Sequence, residues 1–524
     1  LYADMTGERR DFAAVAYAEK RLVLEEMFAN AVTHLAHQLA DLVAADRRWR
    51  DLTRYDLTVA IRELMACLGV YRIYRRMNAE CRPEDAREID RACAEAVRRN
   101  PRRDRQPFHF VRDLLVGRYP PPSATVRFRV GLWRWVLTFQ QYTGAVMAKS
   151  VEDTAFYVYN RFIALNEVGG NPATFGGSAA QFHAENARRR ALTPHTLLAT
   201  STHDTKFGED ARARLYVLSE IPDEWARWVM EWRRLNREHK TAVERQAAPD
   251  ANEEYRLYQT LLACWPPNLT EPDETFRERL REYMRKALNE GKRNTHWQQP
   301  NEKWLAASDR FVDALLTPST GRDFLASFVP KARRVAELGL VNSLAQVALK
   351  SASPGVPDFY QGCERWNFNL VDPDNRRLID WSGNETSAAA AQTMPWPKLL
   401  KQWEDGGLKL RLTADLLRFR AEHLPLFQAG DYEPVETKGM FASRIVAFRR
   451  CWASQCVVVI VPRLSASLGS PPLGKVWEDT AVLLPASRAW RDVLTGHETE
   501  SGSAPIAGLF RELPLAVLMS KERR

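Results

Sequence analysis

The sequence predicts an α/β fold, arranged as a layer or a barrel, with a small all-β domain after it. Helical patterns and short apolar elements alternate up to about residue 436, which is typical of α/β proteins. The stretch 197–214, LLATSTHDTKFGEDARAR, passes from apolar to hydroxyl residues and then to an acidic and basic helix start. A buried parallel strand that ends at a site has this pattern. After Gly430, short strand patterns alternate with turn-rich spacers.

Composition and charge exclude several classes of protein. No run of eighteen apolar residues occurs, so we expect no membrane span. The net charge is +9, but basic pairs are dispersed and no Lys/Arg block reaches five. This favours solvated helix faces over nucleic-acid binding. The seven cysteines include no CxxC motif, so we expect neither a metal site nor a disulfide framework. This pattern fits a protein of the reducing cytoplasm.

Three regions follow from these patterns. Residues 1–115 predict a mostly helical subdomain, because Leu24, Val32 and Leu39 belong to an apolar series that recurs every three or four positions. Residues 116–436 predict the α/β part. Residues 437–524 predict the all-β domain, with strands at Ser443–Phe448, Val457–Val461, Thr480–Leu484 and Leu515–Met519. The chain starts at Leu1 without Met, and we expect part of the protein to precede it.

Carboxylates and aromatic residues meet in the stretch 140–160, QQYTGAVMAKSVEDTAFYVYN. Glu152 and Asp153 lie close in sequence to Tyr157. A sugar site needs such a set, because a pyranose stacks on a ring while its hydroxyls bind charged partners. A helix N-terminus with acidic residues on its dipole and aromatic residues in the core explains the pattern equally well.

The second candidate region is the end of the apolar run 197–199, where His203 and Asp204 are adjacent. Asp358 and Tyr360 follow another short apolar element. In a (β/α) barrel the active site lies at the carboxyl ends of the strands, where all four residues would lie. A carboxylate beside a neutral histidine could bind sugar hydroxyls and stabilise an oxocarbenium-like transition state.

The His203–Asp204 pair could also serve a role that involves no sugar. The sequence has no GxSxG and no HExxH, which argues against a serine hydrolase and against a zinc protease. A purely structural role accounts for the pair at least as well on composition alone: Asp204 would cap the following helix and His203 would be buried.

Six phrases carry a resemblance to a known family. They are TGAVMAKSVEDTAFYVYNR, NEVGGNP, ATSTHDTK, EDARARL, LYQTLLACWP and SPGVPDFYQGCERWNFNLVDPDNRR. STHDTKFGED resembles the fourth signature region of the α-amylase superfamily of retaining glycosidases. The whole set is similar to the malto-oligosyltrehalose synthase family, in that family's order. The resemblance implies the C-terminal part of a (β/α)8 TIM barrel with large helical insertions, then a small all-β domain of the β-sandwich type.

The resemblance also implies an activity, an intramolecular transglucosylation. The reducing-end α-1,4 linkage of a maltooligosaccharide becomes an α,α-1,1 linkage, and a retaining mechanism without metal or cofactor is expected. Asp204 would be the transition-state stabiliser, His203 would bind the sugar at the cleaved bond, and Lys206 would contact the reducing-end glucose. The resemblance implies weaker candidates for the pocket wall at Glu152, Asp153, Tyr157, Asp358 and Tyr360.

Two departures from the family pattern bear on the activity. Phe207 stands where the family usually has a basic residue. No phrase like GxRxDH occurs, so we assign no nucleophile and no general acid, and we expect this chain alone to be inactive. The alternatives are a hydrolytic α-glucanase of the same superfamily and a non-catalytic glucan-binding protein. The expected partners are a maltodextrin and, functionally, a trehalose-releasing hydrolase, with no nucleic acid and no membrane.

Overall fold

Helices occur along the whole described chain, whereas most strands follow residue 432. A computed structural model describes residues 1–44, 46–77, 79–121, 124–485 and 489–520. Contacts divide the chain into two compact units. We call residues 2–162 and 287–301 the helical unit, and Leu1, 163–286 and 302–524 the mixed unit. The boundaries expected at 115 and 436 stay predictions, and the last four residues of the expected all-β domain lie outside the described residues.

The helical unit contains eight whole α-helices and a π-helical segment, Ala148–Ala155, among its described residues. The α-helices are α1 Tyr2–Thr6, α2 Phe12–Glu26, α3 Ala29–Val43, α4 Arg54–Cys67, α5 Pro83–Arg99, α6 Gln106–Val116, α7 Val126–Met147 and α8 Phe156–Val158. Side-chain oxygens of Asp11, Thr53 and Thr125 accept hydrogen bonds from backbone N–H groups in the first turns of α2, α4 and α7. Each such N-cap typically stabilises a helix by about 1 kcal/mol.

The apolar series of the first region spans two helices rather than one. Leu24 lies in α2, whereas Val32, Leu35 and Leu39 lie in α3, and all four are buried in one core. The indole N–H of Trp135 donates to the carbonyl oxygen of Leu35 at 2.8 Å, which joins α7 to α3. The spacing therefore identified the buried face correctly, although it did not reveal the break after Glu26.

Lys20 is a buried cation in this helical core, with 5% of its surface exposed. Its ammonium donates to the carbonyl oxygen of Leu68 at 2.5 Å. Burial lowers the pKa of Lys20 from its ordinary value of 10.5 to about 8. Below pH 8 the group is protonated in the folded and unfolded states alike, so the folded state bears the full cost of the buried charge.

We expect Lys20→Met to raise the free energy of unfolding at pH 7, by an amount of the order of 3 kcal/mol from the pKa shift. The difference should shrink between pH 8 and pH 10.5, because there the folded wild type has lost the proton that the unfolded state still binds. Urea unfolding of the wild type and the variant between pH 7 and pH 10.5 measures the difference in free energy of unfolding. A difference that stays constant with pH would contradict the proposed cost.

The mixed unit contains all the described strands and the remaining helices. The helices are α9 Ala179–Leu192, α10 Glu209–Val217, α11 Pro222–Leu235, α12 Ala251–Cys264, α13 Glu274–Gly291, α14 Glu302–Leu316, α15 Arg322–Ala352, α16 Trp381–Thr393, α17 Trp396–Lys401, α18 Gly407–Glu422, α19 Leu424–Ala429 and α20 Ile506–Leu509. Residues 287–291 of α13 belong to the helical unit. None of the described helices combines the length and the apolar character needed to cross a bilayer.

The strands form four sheets. They are β1 Leu197–Ala199, β2 Thr241–Val243, β3 Gln246–Ala248, β4 Val356–Asp358, β5 Glu433–Pro434, β6 Thr437–Lys438, β7 Ile445–Trp452, β8 Gln455–Pro462, β9 Ala481–Leu484, β10 Trp490–Asp492, β11 Glu498–Thr499, β12 Gly502–Pro505 and β13 Ala516–Ser520. Three sheets are antiparallel: β2 with β3, the six-stranded β11-β10-β13-β8-β7-β5 and the three-stranded β12-β9-β6.

The fourth sheet is the parallel pair β1 and β4, where the sequence predicted a buried strand. The prediction of a parallel strand at Leu197–Ala199 is confirmed, but the prediction that it is buried is wrong. Leu197 is 65% exposed and Val356 is 39% exposed. Among the described residues neither strand has a second neighbour, so each is an edge strand of a two-stranded sheet. The larger barrel stays a prediction.

Strand β8 lies in the interior of the six-stranded sheet, between β13 and β7, and both of its faces are covered. Val457, Val459 and Val461 pack in one core with residues of α15 and α18. Val458 and Ile460 pack in another core with residues of the three-stranded sheet. This double burial explains the continuous apolar run, which differs from the alternation of a half-exposed strand.

The β7–β8 hairpin also corrects an expectation about the cysteines. A disulfide joins Cys451 and Cys456, although we expected no disulfide framework. The antiparallel register places these two residues directly opposite each other, with their Cα atoms 4.2 Å apart. The spacing of the cysteines did not reveal this pairing, because it depends on where the hairpin turns.

Candidate functional site

The candidate site is built at the carboxyl ends of β1 and β4. The two strands are parallel and pair Ala199 with Asp358. The segments that follow β1 and β4 therefore leave the sheet at the same edge. The segment 200–208, which we call the site loop, connects β1 to α10 and carries His203 and Asp204. Beyond β4, the phenol of Tyr360 donates to the carbonyl oxygen of Asn375 at 3.0 Å.

A hydroxyl-rich turn presents His203 and Asp204 at its tip. The backbone N–H of Asp204 donates to Thr202 Oγ1 at 3.2 Å, and the hydroxyl of Thr205 donates to the carbonyl oxygen of Thr202 at 3.0 Å. Short hydroxyl side chains commonly stabilise turns in this way. Both His203 and Asp204 are exposed, and Gly208 is the N-cap residue of α10. The purely structural role, a helix-capping Asp204 beside a buried His203, is therefore wrong.

One side of the turn is fixed by the loop that follows β4. The amide of Asn375 donates to the carbonyl oxygen of His203 at 3.1 Å, and Asn375 itself is buried. The guanidinium of Arg376 donates to the same oxygen at 3.3 and 3.4 Å. Since Asn375 also accepts from Tyr360, these contacts connect the tip to the segment after β4 within one hydrogen-bond network.

The other side of the turn is fixed by Glu167, from the glycine-rich loop NEVGG. Its carboxylate accepts from the backbone N–H of Lys206 at 2.8 Å and from that of Phe207 at 3.3 Å. It also accepts from the guanidinium of Arg212, which donates in turn to the carbonyl oxygen of Phe207 at 3.0 Å. Burial would lower the pKa of Arg212, but Glu167, together with Tyr216 and Glu209, outweighs burial and raises that pKa.

Four buried charges lie under the site loop, at the start of α10. The ammonium of Lys409 donates to Glu209 at 2.6 Å, to Asp210 at 2.7 Å and to the carbonyl oxygen of Arg365 at 3.1 Å. Lys350 contacts the second oxygen of Glu209 at 3.2 Å. We call Glu209, Asp210, Lys350 and Lys409 the charge cluster. Its two ammonium groups balance its two carboxylates.

Electrostatics within the cluster follow from burial and pairing. Burial would raise the pKa of Glu209, but Lys409 and Lys350 outweigh it and lower that pKa to about 2. For Lys409, burial would lower the pKa, and the two carboxylates raise it instead. Both shifts favour the charged forms, so this pair stays ionised around neutral pH.

No group of three or more His, Cys, Asp or Glu side chains in the described ranges could hold a metal ion. The exposed His203–Asp204 tip and its fixed backbone are instead suited to hydrogen bonding with a polar ligand. A carboxylate with no charged partner can accept from two hydroxyls at once.

Comparisons with known proteins find relatives of the whole chain. No protein-family model matches the chain. A curated protein from two strains of Mycobacterium tuberculosis, with the provisional name maltooligosyl trehalose synthase, is 37% identical over 380 residues. That match covers 72% of this chain and 45% of the curated protein, so the chain spans about half the length of these relatives.

Solved structures give the same result over nearly the whole chain. Maltooligosyltrehalose synthase from Arthrobacter ramosus is 30% identical with a TM-score of 0.79, over 99% of this chain and 60% of its own. A hypothetical maltooligosyl trehalose synthase from Sulfolobus tokodaii is 27% identical with a TM-score of 0.72. That match covers 99% of this chain and 59% of the Sulfolobus chain. This chain is related to the maltooligosyl trehalose synthases. The resemblance that the six sequence phrases indicated is thereby confirmed.

Within this relative of the maltooligosyl trehalose synthases, five predicted site residues lie in the mixed unit. His203 and Asp204 form the tip, and Tyr360 reaches the same turn through Asn375. Asp358 ends β4, and its carbonyl oxygen accepts from Lys350 at 3.0 Å. Lys206 is buried, with its backbone bound to Glu167.

Phe207, the departure from the family pattern, is a core residue here. Its side chain is 1% exposed and its ring lies 6.0 Å from that of Tyr283. An apolar residue at this position therefore packs inside the mixed unit, and its side chain brings no charge there.

Glu152, Asp153 and Tyr157 belong to the helical unit. The phenol of Tyr71 donates to Glu152, and Lys149 forms an ion pair with Asp153 at 2.7 Å. These carboxylates lie within the π-helical segment 148–155, not at a helix N-terminus. Segments of this kind occur frequently at functional sites. Their predicted role as pocket-wall residues stays a prediction.

Sequence reasoning missed four residues that fix the site loop: Glu167, Arg212, Lys350 and Asn375. Glu167, Arg212 and Asn375 lie in phrases that carried the resemblance, but no spacing links Glu167 or Asn375 to positions 203–207. Arg212 and Lys350 fall on helices that the sequence predicted, where a charged residue is usually solvent-exposed. Their burial depends on tertiary contacts, and no local signal revealed it.

We expect Glu167→Gln to destabilise the mixed unit by about 2 kcal/mol, because Arg212 would keep a nearly buried charge without its carboxylate. Glu185→Gln is the matched control, since Glu185 forms an exposed ion pair with Arg188. The control should change stability by less than about 0.5 kcal/mol. Urea unfolding monitored by circular dichroism measures both variants. Equal effects of the two substitutions would contradict the role of Glu167.

Proposed function

We propose that this chain takes part in the intramolecular transglucosylation that forms maltooligosyl trehalose. In this reaction the reducing-end α-1,4 linkage of a maltooligosaccharide becomes an α,α-1,1 linkage. The exposed His203–Asp204 tip, fixed by contacts on both sides at the carboxyl edge of a parallel strand pair, is the observation that carries the proposal. The relation to the maltooligosyl trehalose synthases supports the choice of reaction.

Asp204 has the role of transition-state stabiliser in this proposal. Positive charge develops at the anomeric carbon as the glycosidic bond breaks, and a nearby carboxylate that also binds ring hydroxyls stabilises it. His203 would bind the sugar at the cleaved bond through its imidazole. Asp358 and Tyr360 would line the same edge, and Lys206 would act at the reducing-end glucose.

We assign the nucleophile and the general acid to no residue of the described ranges. The reaction also needs water to be excluded, so that the freed glucose and not water attacks the intermediate. His203 and Asp204 are exposed to solvent. We therefore propose that this chain binds the sugar but does not complete the reaction alone, and that β1 and β4 belong to a (β/α)8 barrel with an all-β domain after it.

The proposed substrate is a maltodextrin, and the product carries a non-reducing trehalose end. A hydrolase that cleaves next to that end would release trehalose, which gives the proposed functional link. No cofactor, nucleic acid or membrane takes part in this scheme. The cytoplasm is the proposed compartment, although the Cys451–Cys456 disulfide removes the support that the cysteine pattern had given it.

We expect the chain to bind maltoheptaose, and we expect Asp204→Ala to weaken that binding at least about tenfold by removing two charge-assisted hydrogen bonds. Asp223→Ala is the matched control, because Asp223 is an exposed aspartate in the first turn of α11. Isothermal titration calorimetry measures all three proteins. If Asp204→Ala binds as tightly as the wild type, the assignment of Asp204 is wrong.

A second measurement addresses turnover. After incubation of the chain with maltoheptaose, we expect neither trehalose-ended product nor loss of chain length, because no nucleophile is assigned. Product analysis by chromatography and reducing-end assay separates the possibilities. Trehalose-ended product would overturn the proposed inactivity, and free reducing sugar would support a hydrolytic α-glucanase. Binding without turnover agrees with the proposal and also with a non-catalytic glucan-binding protein.

A further inference from the structure

We propose that Lys350 is a positioning residue for the His203–Asp204 tip, which it affects by closing the base of the site loop. The inference deepens the proposed function and rests on it for the identity of the ligand. Lys350 lies at the C-terminal end of α15, and its ammonium contacts the base of the loop rather than the exposed tip. It would act through the segments that carry the predicted sugar-binding residues.

The geometry around Lys350 joins three segments at one atom. Its Nζ donates to Thr200 Oγ1 at 2.7 Å, at the first residue of the site loop. It contacts Glu209 Oε2 at 3.2 Å, at the residue directly after the loop. It also donates to the carbonyl oxygen of Asp358 at 3.0 Å, at the end of β4. An ammonium has three N–H donors, so all of them are used.

These three acceptors define the frame of the candidate site. Thr200 is the first residue of the loop and Glu209 directly follows its last, and the Thr200 hydroxyl also donates to the Glu209 carboxylate. Lys350 binds both side chains of this pair and joins them to the end of β4. Asp358 begins the segment that continues to Tyr360. Lys350 therefore fixes the ends of the loop relative to β4, in addition to the backbone pairing of β1 with β4. A shift at this point would change the separation of His203 and Asp204 from Asp358 and Tyr360.

The location of Lys350 makes this contact rigid. Its side chain is buried, at 3% exposure, and its Nζ lies 3.7 Å from the centre of the Phe359 ring. It projects from α15, a helix of 31 residues that packs against α10 and α18. A cation in such surroundings loses little further conformational freedom when it binds its acceptors.

Two roles are possible for a buried lysine of this kind, and they predict different results. In one role Lys350 only balances the charge of Glu209, and any neutral replacement of the pair would preserve the site loop and sugar binding. In the other role Lys350 positions the loop, and only an ammonium that binds all three acceptors would preserve them. Charge balance against Glu209 and Asp210 needs both Lys409 and Lys350, but it requires only the contact of Lys350 with Glu209. It does not explain the contacts of Lys350 with the Thr200 hydroxyl and the Asp358 carbonyl oxygen.

The experiment compares four forms of the full chain: wild type, Lys350→Met, the double variant Lys350→Met/Glu209→Gln, and Lys331→Met. Methionine keeps the length of the lysine stem without its charge. The double variant keeps the cluster neutral. Lys331→Met is the matched control, because Lys331 lies on the same helix and pairs with Glu231 at 2.7 Å, away from the site loop. Hydrogen exchange, urea unfolding and maltoheptaose titration are measured on each form.

We expect Lys350→Met to speed exchange at the loop amides of residues 202, 204, 206 and 207 at least about tenfold, because their local opening becomes easier. Its affinity for maltoheptaose should fall by about tenfold or more. The double variant should recover most of the unfolding midpoint but keep the fast exchange and the weak binding. Lys331→Met should match the wild type in loop exchange and in binding.

Two results would overturn the inference. The first is a folded Lys350→Met protein with unchanged loop exchange and affinity. The second is a double variant in which affinity and loop exchange recover together with stability, because charge balance would then suffice. If Lys350→Met does not fold, the double variant decides alone by the same criteria. If wild type does not bind maltoheptaose, the proposed function fails, whereas loop exchange in the variants still tests the role of Lys350.

Discussion

The start of α10 is the point on which the site region depends, because two adjacent carboxylates are buried there. Glu209 and Asp210 lie in the first turn, where the helix dipole favours negative charge, but the dipole alone does not offset the loss of water around both groups. Lys350 and Lys409 supply the remaining compensation from two other helices. The position of α10, and of the loop that leads into it, is thereby linked to α15 and α18.

The same physical solution recurs around the loop. Charged side chains satisfy backbone groups that a helix or a sheet would otherwise pair, as Glu167 does for two N–H groups and Arg376 for a carbonyl oxygen. Gly208 shows how closely these segments approach. A Cβ atom there would lie 2.6 Å from the carbonyl oxygen of Asn367, which is closer than real contacts allow. Loop backbone fixed in this way does not need regular secondary structure.

Sequence patterns predicted the elements whose burial is local. Four of the nine described C-terminal strands, β7, β8, β9 and β13, were predicted within a few residues, because runs such as Val457–Val461 are typical of strands whatever covers them. The helix after the site loop was found from its acidic and basic residues. The exposure of Leu197 was not predictable from the sequence. An apolar run indicates that its residues favour burial, but it does not show which other elements of the fold are there to cover them.

Candidate site residues likewise divide into those that a local sequence pattern identifies and those that only tertiary contacts reveal. His203 and Asp204 were identified because their phrase resembles a signature region, and their exposure separates a functional role from a helix cap. Glu167 and Lys350 contact the loop from positions far away in sequence, at separations of 39 and 150 residues. Such pairings depend on the packing of whole elements, which single-sequence periodicity does not encode.

Charge is distributed differently at the base of the site loop, where the charge cluster lies, and at its His203–Asp204 tip, and this difference has a chemical consequence. The charge cluster is neutral, and within the described ranges the Asp204 carboxylate forms no ion pair, so its charge is not compensated by a fixed cation. A carboxylate bound to arginine would offer fewer lone pairs to sugar hydroxyls and a weaker field to a developing oxocarbenium ion. Rigid, internally balanced charges below the loop thus leave the charge at its tip available to a ligand, while the backbone that carries it stays fixed.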